Sequence, residues 1–72
     1  MSEMTREMEF FIFLLEHYAQ YKGTTADKVL SEWDSLKITE TINQMYERYH
    51  CEALENAFAD IDDMIAEKKK TV

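Results

Sequence analysis

The stretch Ala53-Leu54-Glu55-Asn56-Ala57-Phe58-Ala59-Asp60-Ile61-Asp62-Asp63-Met64-Ile65 decides the fold class. Ala53, Leu54, Ala57, Phe58, Ile61, Met64 and Ile65 recur at intervals of three and four, the rhythm of one buried face of an α-helix. Glu52, Glu55, Asp60, Asp62, Asp63 and Glu67 fill the opposite face. Lys68, Lys69 and Lys70 then sit where the helix dipole is negative and cations are favoured. The spacing predicts a helix over about residues 52–69.

Working outward, the same rhythm returns on the N-terminal side. Ile42, Met45, Tyr46 and Tyr49 mark a helix over about 39–49, with Thr39 as its expected cap. Whether it runs on into the last helix or breaks near His50 stays open. Ala26, Val29, Leu30 and Trp33 mark one over about 25–36, capped by Thr24 or Thr25, with Asp27 in its first turn. Met4, Met8, Phe11, Ile12, Leu15, Tyr18 and Ala19 mark the first helix, over about 5–22. It ends at Gly23, because glycine enters the left-handed C′ conformation without strain. With no proline and one glycine in 72 residues, a turn-rich β fold is excluded. The expected architecture is all-α: a compact bundle of three to four helices forming a single domain over residues 1–72.

A chain this short buries only about 60% of the surface its unfolded form exposes, so helpers such as disulfides or a partner are common at this size. Cys51 alone makes no internal disulfide, and the charged start from Met1 to Glu7 is unlike an export signal. The longest apolar run, Phe10 to Leu15, is far below the ~20 residues that cross a bilayer. A reducing cytoplasm is the expected compartment. Fifteen acidic against eight basic residues give a net charge of -7. Nucleic-acid binding draws on lysine and arginine at phosphates, and binding to anionic membranes on the same groups, so neither is expected. The acidity suits a basic protein surface.

The first helix is apolar over more than one stripe. Phe10, Leu14, His17 and Tyr21 share a second face about 120° from the first, with Phe13 beside them; only Glu9, Glu16 and Gln20 leave a polar wedge. Either this helix is central and packed on two sides, or part of the second stripe is an interface with a partner or a second copy. Tyr46, Tyr49 and His50 form a polar-aromatic cluster suited to the rim of a core or to a contact surface. Trp33 reads as a core anchor.

Patterns with catalytic or metal chemistry are weak. His50-Cys51-Glu52 are adjacent, so on a helix they diverge, whereas structural zinc sites use paired ligands at wider spacing. A Cys51 nucleophile with His50 or His17 lacks an orienting third group. Asp60, Asp62 and Asp63 lack the glycine and distal glutamate of a calcium loop. The segment Gly23 to Leu30 loosely resembles a helix-turn-helix, yet its second helix carries Asp27, Glu32 and Asp34 against Lys28 and Lys37. No enzyme activity, cofactor or metal is expected.

The chain resembles a family of small bacterial helical proteins of unknown function. The resemblance rests on Glu9-Phe10-Phe11-Ile12, on Gly23 leading to Ala26-x-x-Val29-Leu30, and on Ile42-x-x-x-Tyr46-x-x-Tyr49-His50-x-Glu52-x-x-Glu55-Asn56-Ala57-x-x-Asp60-Ile61. It spans most of residues 7–65. Cys51 departs from it, standing where the resemblance implies a small polar residue. Members are often encoded beside ADP-ribosyltransferase-like toxins, which implies an antitoxin-like or accessory partner and carries over no active residues. The expected function is a non-catalytic helical protein-interaction module. Its expected contact residues are Phe10, Phe13, Leu14, His17, Tyr21, Tyr46, Tyr49 and His50. A homodimer with a structural or regulatory role is the alternative.

Overall fold

The computed structural model describes residues 5–70. Met4 of the first stripe and the charged start at Met1, Ser2 and Glu3 lie outside the described residues. Five helices follow one another: α1 (Arg6–Lys22), α2 (Ala26–Ser35), α3 (Thr39–Gln44), α4 (Tyr46–Tyr49) and α5 (Leu54–Lys70). No strand occurs among the described residues.

Five helices replace the expected three to four, because the segment over 39–49 is divided at Met45. Its backbone (φ -86, ψ 12) leaves the helical region, and its N–H reaches back only three residues, to the Ile42 carbonyl at 3.1 Å. Thr39, Thr41, Ile42 and Asn43 are poor helix formers, so packing rather than propensity sets the geometry here. A second break separates α4 from α5. There Cys51 and Glu52 make long 3.3 Å turn bonds to the Arg48 and Tyr49 carbonyls.

Side chains fix two of the helix starts. Thr5 accepts from the Met8 N–H at 3.1 Å, and Thr25 rather than Thr24 caps α2 by accepting from the Lys28 N–H at 3.4 Å. Thr39 is not a cap. Ile38 holds the cap position of α3 with no side-chain hydrogen bond, and the Thr39 hydroxyl instead donates to Asp34 at 2.6 Å.

The first two helices end in the same device. Gly23 (φ 70) follows α1, with Thr24 N–H bonded to the Ala19 carbonyl and Gly23 N–H to that of Gln20. After α2 the left-handed position falls on Lys37 (φ 61), with Ile38 N–H on the Trp33 carbonyl and Lys37 N–H on that of Asp34. A β-carbon there costs free energy that glycine avoids. The second turn offsets it by seating Ile38 and Trp33, both fully buried, at the apolar contact this motif favours.

A single core joins all five helices: Leu14, Leu15, Tyr18 and Ala19 from α1, Val29 and Trp33 from α2, Ile38 and Ile42 around α3, Tyr49 from α4, and Ala57, Phe58 and Ile61 from α5. Trp33 is wholly enclosed, with its ring against Phe11 at 5.8 Å and Tyr18 at 5.6 Å. Helix α1 is central, touching α2, α3 and α4 along its backbone and α5 through the Tyr18–Phe58 and Tyr21–Phe58 ring pairs. Its buried strip therefore lies between the two expected stripes. Met8 (48% exposed) and Ile12 (36%) fall outside the core, while Leu14, expected on the contact face, is 1% exposed. On α5, Ala53 precedes the helix and is exposed.

Candidate functional site

Two surface regions hold aromatic or polar groups that the core does not absorb. The first is a run of rings across α1 and α4. Phe10 stands at its centre, with its ring 6.1 Å from Phe13, 5.6 Å edge-on from Tyr46 and 6.4 Å edge-on from His50. Phe13 lies 4.1 Å from His17, and Tyr46 stacks on His50 at 4.3 Å with the planes 3° apart. Helix α1 supplies Phe10, Phe13 and His17 at intervals of three and four, and α4 supplies Tyr46 and His50 at an interval of four, so each set shares a face. The α3–α4 arm is seated on α1 over Leu14, with Ile42 and Tyr46 closing round Phe10 and Phe11.

The two histidines are held alike. Nδ1 of His17 donates to the Phe13 carbonyl at 2.8 Å, and Nδ1 of His50 to the Tyr46 carbonyl at 2.6 Å. That leaves Nε2 of each as an acceptor in the neutral form. Cys51 Sγ is 3.7 Å from Nε2 of His50. The other neighbours of His50 in this patch are the rings of Phe10 and Tyr46.

Of the eight contact residues expected from sequence, the structure brings together Phe10, Phe13, His17, Tyr46 and His50. Leu14 and Tyr49 are in the core, at 1% and 0% exposure, and offer no surface. Tyr21 is exposed but lies elsewhere: it stacks on Phe58 of α5 at 4.8 Å, with the Lys22 ammonium 5.5 Å from its ring centre.

The second region is an apolar groove of about 370 Å³ between α3–α4 and α5. Tyr49 lies at its floor, and its buried hydroxyl makes no hydrogen bond of normal geometry among the described residues. Burial, and next the charge of nearby Asp60, push this phenol up to about 12, with Arg48 opposing. Tyr18 is its counterpart on the other flank of α5. Its hydroxyl donates to Asp62 at 2.5 Å, and burial first, then that bond and charge, hold it well above the ordinary tyrosine range. Reading the sequence missed this groove. The signal was present, since Asp60, Asp63, Met64 and Glu67 fall at i, i+3, i+4 and i+7 on one helical face.

The three aspartates do not converge. Asp60 meets Arg48 at 3.6 Å, and Asp62 meets Tyr18 and, at 3.4 Å, Lys22. Among the described residues no three His, Cys, Asp or Glu side chains gather as a metal site, and no helix is long and apolar enough to cross a membrane.

These features define a class: a small all-helical domain with an aromatic patch on one side and an open groove on another. The chain belongs to the family described as protein of unknown function (DUF3791), which matches residues 9–68. No curated protein and no solved structure matches it.

Proposed function

We propose that this chain is a non-catalytic protein-interaction module acting in the cytoplasm. In the reading favoured here it is the antitoxin-like or accessory partner of a bacterial toxin-type protein. The observation that carries the reading is the run of rings from His17 through Phe13 and Phe10 to Tyr46 and His50, with Phe13 45% exposed. Aromatic side chains offer large, stiff contact area with a polar tip, and they dominate the energetic centres of protein interfaces. The net charge of -7 adds attraction toward a basic partner surface and faster encounter. The partner class, an ADP-ribosyltransferase-like protein, comes from the family resemblance.

Co-expression with such a neighbouring ADP-ribosyltransferase-like protein tests the proposal. The expected result is relief of growth arrest by the wild-type chain and none by a Phe13→Asp variant that keeps its helical circular dichroism. Growth arrest untouched by the wild-type chain contradicts it. The exposure of Met8, Ile12, Phe13 and Tyr21 on α1 favours a second reading, a homodimer with a structural or regulatory role. In that case the wild-type chain sediments at twice its mass, and Phe13→Asp returns it to a monomer.

A further inference from the structure

The groove on the α4 side of α5 has walls of a particular kind. One wall carries Ile38 and Met45 of the α3 arm, with Thr41 between them, at positions i, i+3 and i+7. The other wall is the α5 row of Asp60, Asp63, Met64 and Glu67. The α5 row is one face of a helix, and the facing wall is the short α3 with the residues that flank it, Ile38 and Met45. The floor is apolar and includes two methionines, the side chain best able to adapt to an incoming apolar face. Its volume lies within the range of binding clefts, about 300–1,000 Å³.

Charge selects the occupant. Asp63 and Glu67 set two carboxylates along the rim beside Asp60, which Arg48 meets at 3.6 Å, and Lys68 supplies one ammonium. Asp63 and Glu67 enter no ion pair among the described residues. We infer that this groove docks a basic amphipathic helix of a partner protein, its apolar face on Met45 and Met64 and its lysines or arginines against the α5 carboxylates. A second copy of this chain fits poorly, because it brings a charge of -7 against a charge of -7. The inference stands apart from the aromatic patch on α1 and α4.

The probe is a fluorescein-labelled 14-residue peptide of leucine and lysine in amphipathic helical order. Its binding is read by anisotropy and by backbone amide shifts of the isotope-labelled protein. Two variants of equal charge are compared, both checked for fold by circular dichroism: Asp63→Lys with Glu67→Lys, and Glu9→Lys with Glu16→Lys on α1. The expected result is shifts centred on Met45 and Met64, at least tenfold weaker binding by the groove variant, and binding within twofold of wild type by the α1 variant. The same peptide with glutamate for lysine is expected to bind at least tenfold more weakly. Equal losses in both variants reduce the effect to net charge and overturn the inference. It is equally overturned by shifts centred on Phe10 and Phe13, by no binding, or by a doubled native mass that protects the groove from the peptide.

Discussion

The two flanks of α5 are built from matching parts and finished differently. On the α1 side, the Tyr18 hydroxyl donates to Asp62, Lys22 approaches the same carboxylate, and Tyr21 stacks on Phe58 to cover the seam. On the α4 side, the Tyr49 hydroxyl is buried near Asp60 without a hydrogen bond of normal geometry among the described residues, and each flank has a surface cavity, about 370 Å³ beside Tyr49 and about 470 Å³ beside Tyr18 and Asp62. Asp60 and Asp62 are two residues apart, so on a helix they point to opposite sides, each toward one buried tyrosine. A buried polar group costs little when paired and about 1–3 kcal/mol when not. The two flanks therefore differ in how their buried hydroxyls are paired and not in whether the surface beside them is open.

The largest expected effect comes from removing the ridge both flanks share. Ile61 is fully buried on α5, and Ile61→Ala should cost about 2–5 kcal/mol. That is enough to unfold much of the population of a domain of this size, and a urea titration followed by circular dichroism reads it. Next, Tyr18→Phe removes a bond to a charged acceptor whose side chain is partly exposed, and should destabilise by about 1–2 kcal/mol in the same titration. Tyr49→Phe sharpens the contrast by going the other way. It deletes an unpaired buried hydroxyl, so stability should stay level or rise by about 1 kcal/mol. A loss as large as that of Tyr18→Phe would mean the two flanks are equally complete.

Both tyrosines also write the contrast into the pH dependence. Each phenol is held protonated in the fold above its unfolded value of about 10, so its contribution is full below pH 10 and is lost as pH rises. Stability should fall between pH 10 and 12 as Tyr49 approaches its own value of about 12, and Tyr49→Phe should flatten that decline. Absorbance of the phenolate alongside circular dichroism follows both. The smallest effects belong to the turns leading into the two flanks. Gly23→Ala meets no atom within 4 Å, so its cost of about 1 kcal/mol is purely that of the left-handed backbone. Lys37→Gly should relieve the corresponding strain and raise the thermal midpoint by a few degrees.

Much of the fold was legible because helical periodicity and capping are local properties. Ala57, Phe58 and Ile61, the Gly23 stop and the Thr25 cap needed only their own neighbours. The division at Met45 was not legible, since residues 39–44 form a helix by packing on α1 rather than by propensity. The periodicity of α1 gave two apolar stripes but not which neighbour would cover each. The α3–α4 arm settles over Leu14 and buries it, and Met8 and Ile12 are left outside. For the contact surface, spacing placed Phe10, Leu14, His17 and Tyr21 on one face with Phe13 beside them, and grouped Tyr46, Tyr49 and His50; of these Leu14 and Tyr49 are buried and Tyr21 lies elsewhere. That the two faces meet edge to edge is a tertiary fact. Tyr49, three residues from Tyr46 and near its face, is buried while Tyr46 stays half-buried, a difference set by tertiary packing.

The proposed role rests on an exposed aromatic patch that a partner protein would cover. Native mass spectrometry of the chain recovered from its own cells at its natural level tests it most directly, with Phe13→Asp recovered alongside. The 8.6 kDa chain is expected bound to one other protein in fixed ratio, with that protein lost from the folded variant. Recovery of the bare 8.6 kDa chain in both samples would contradict it.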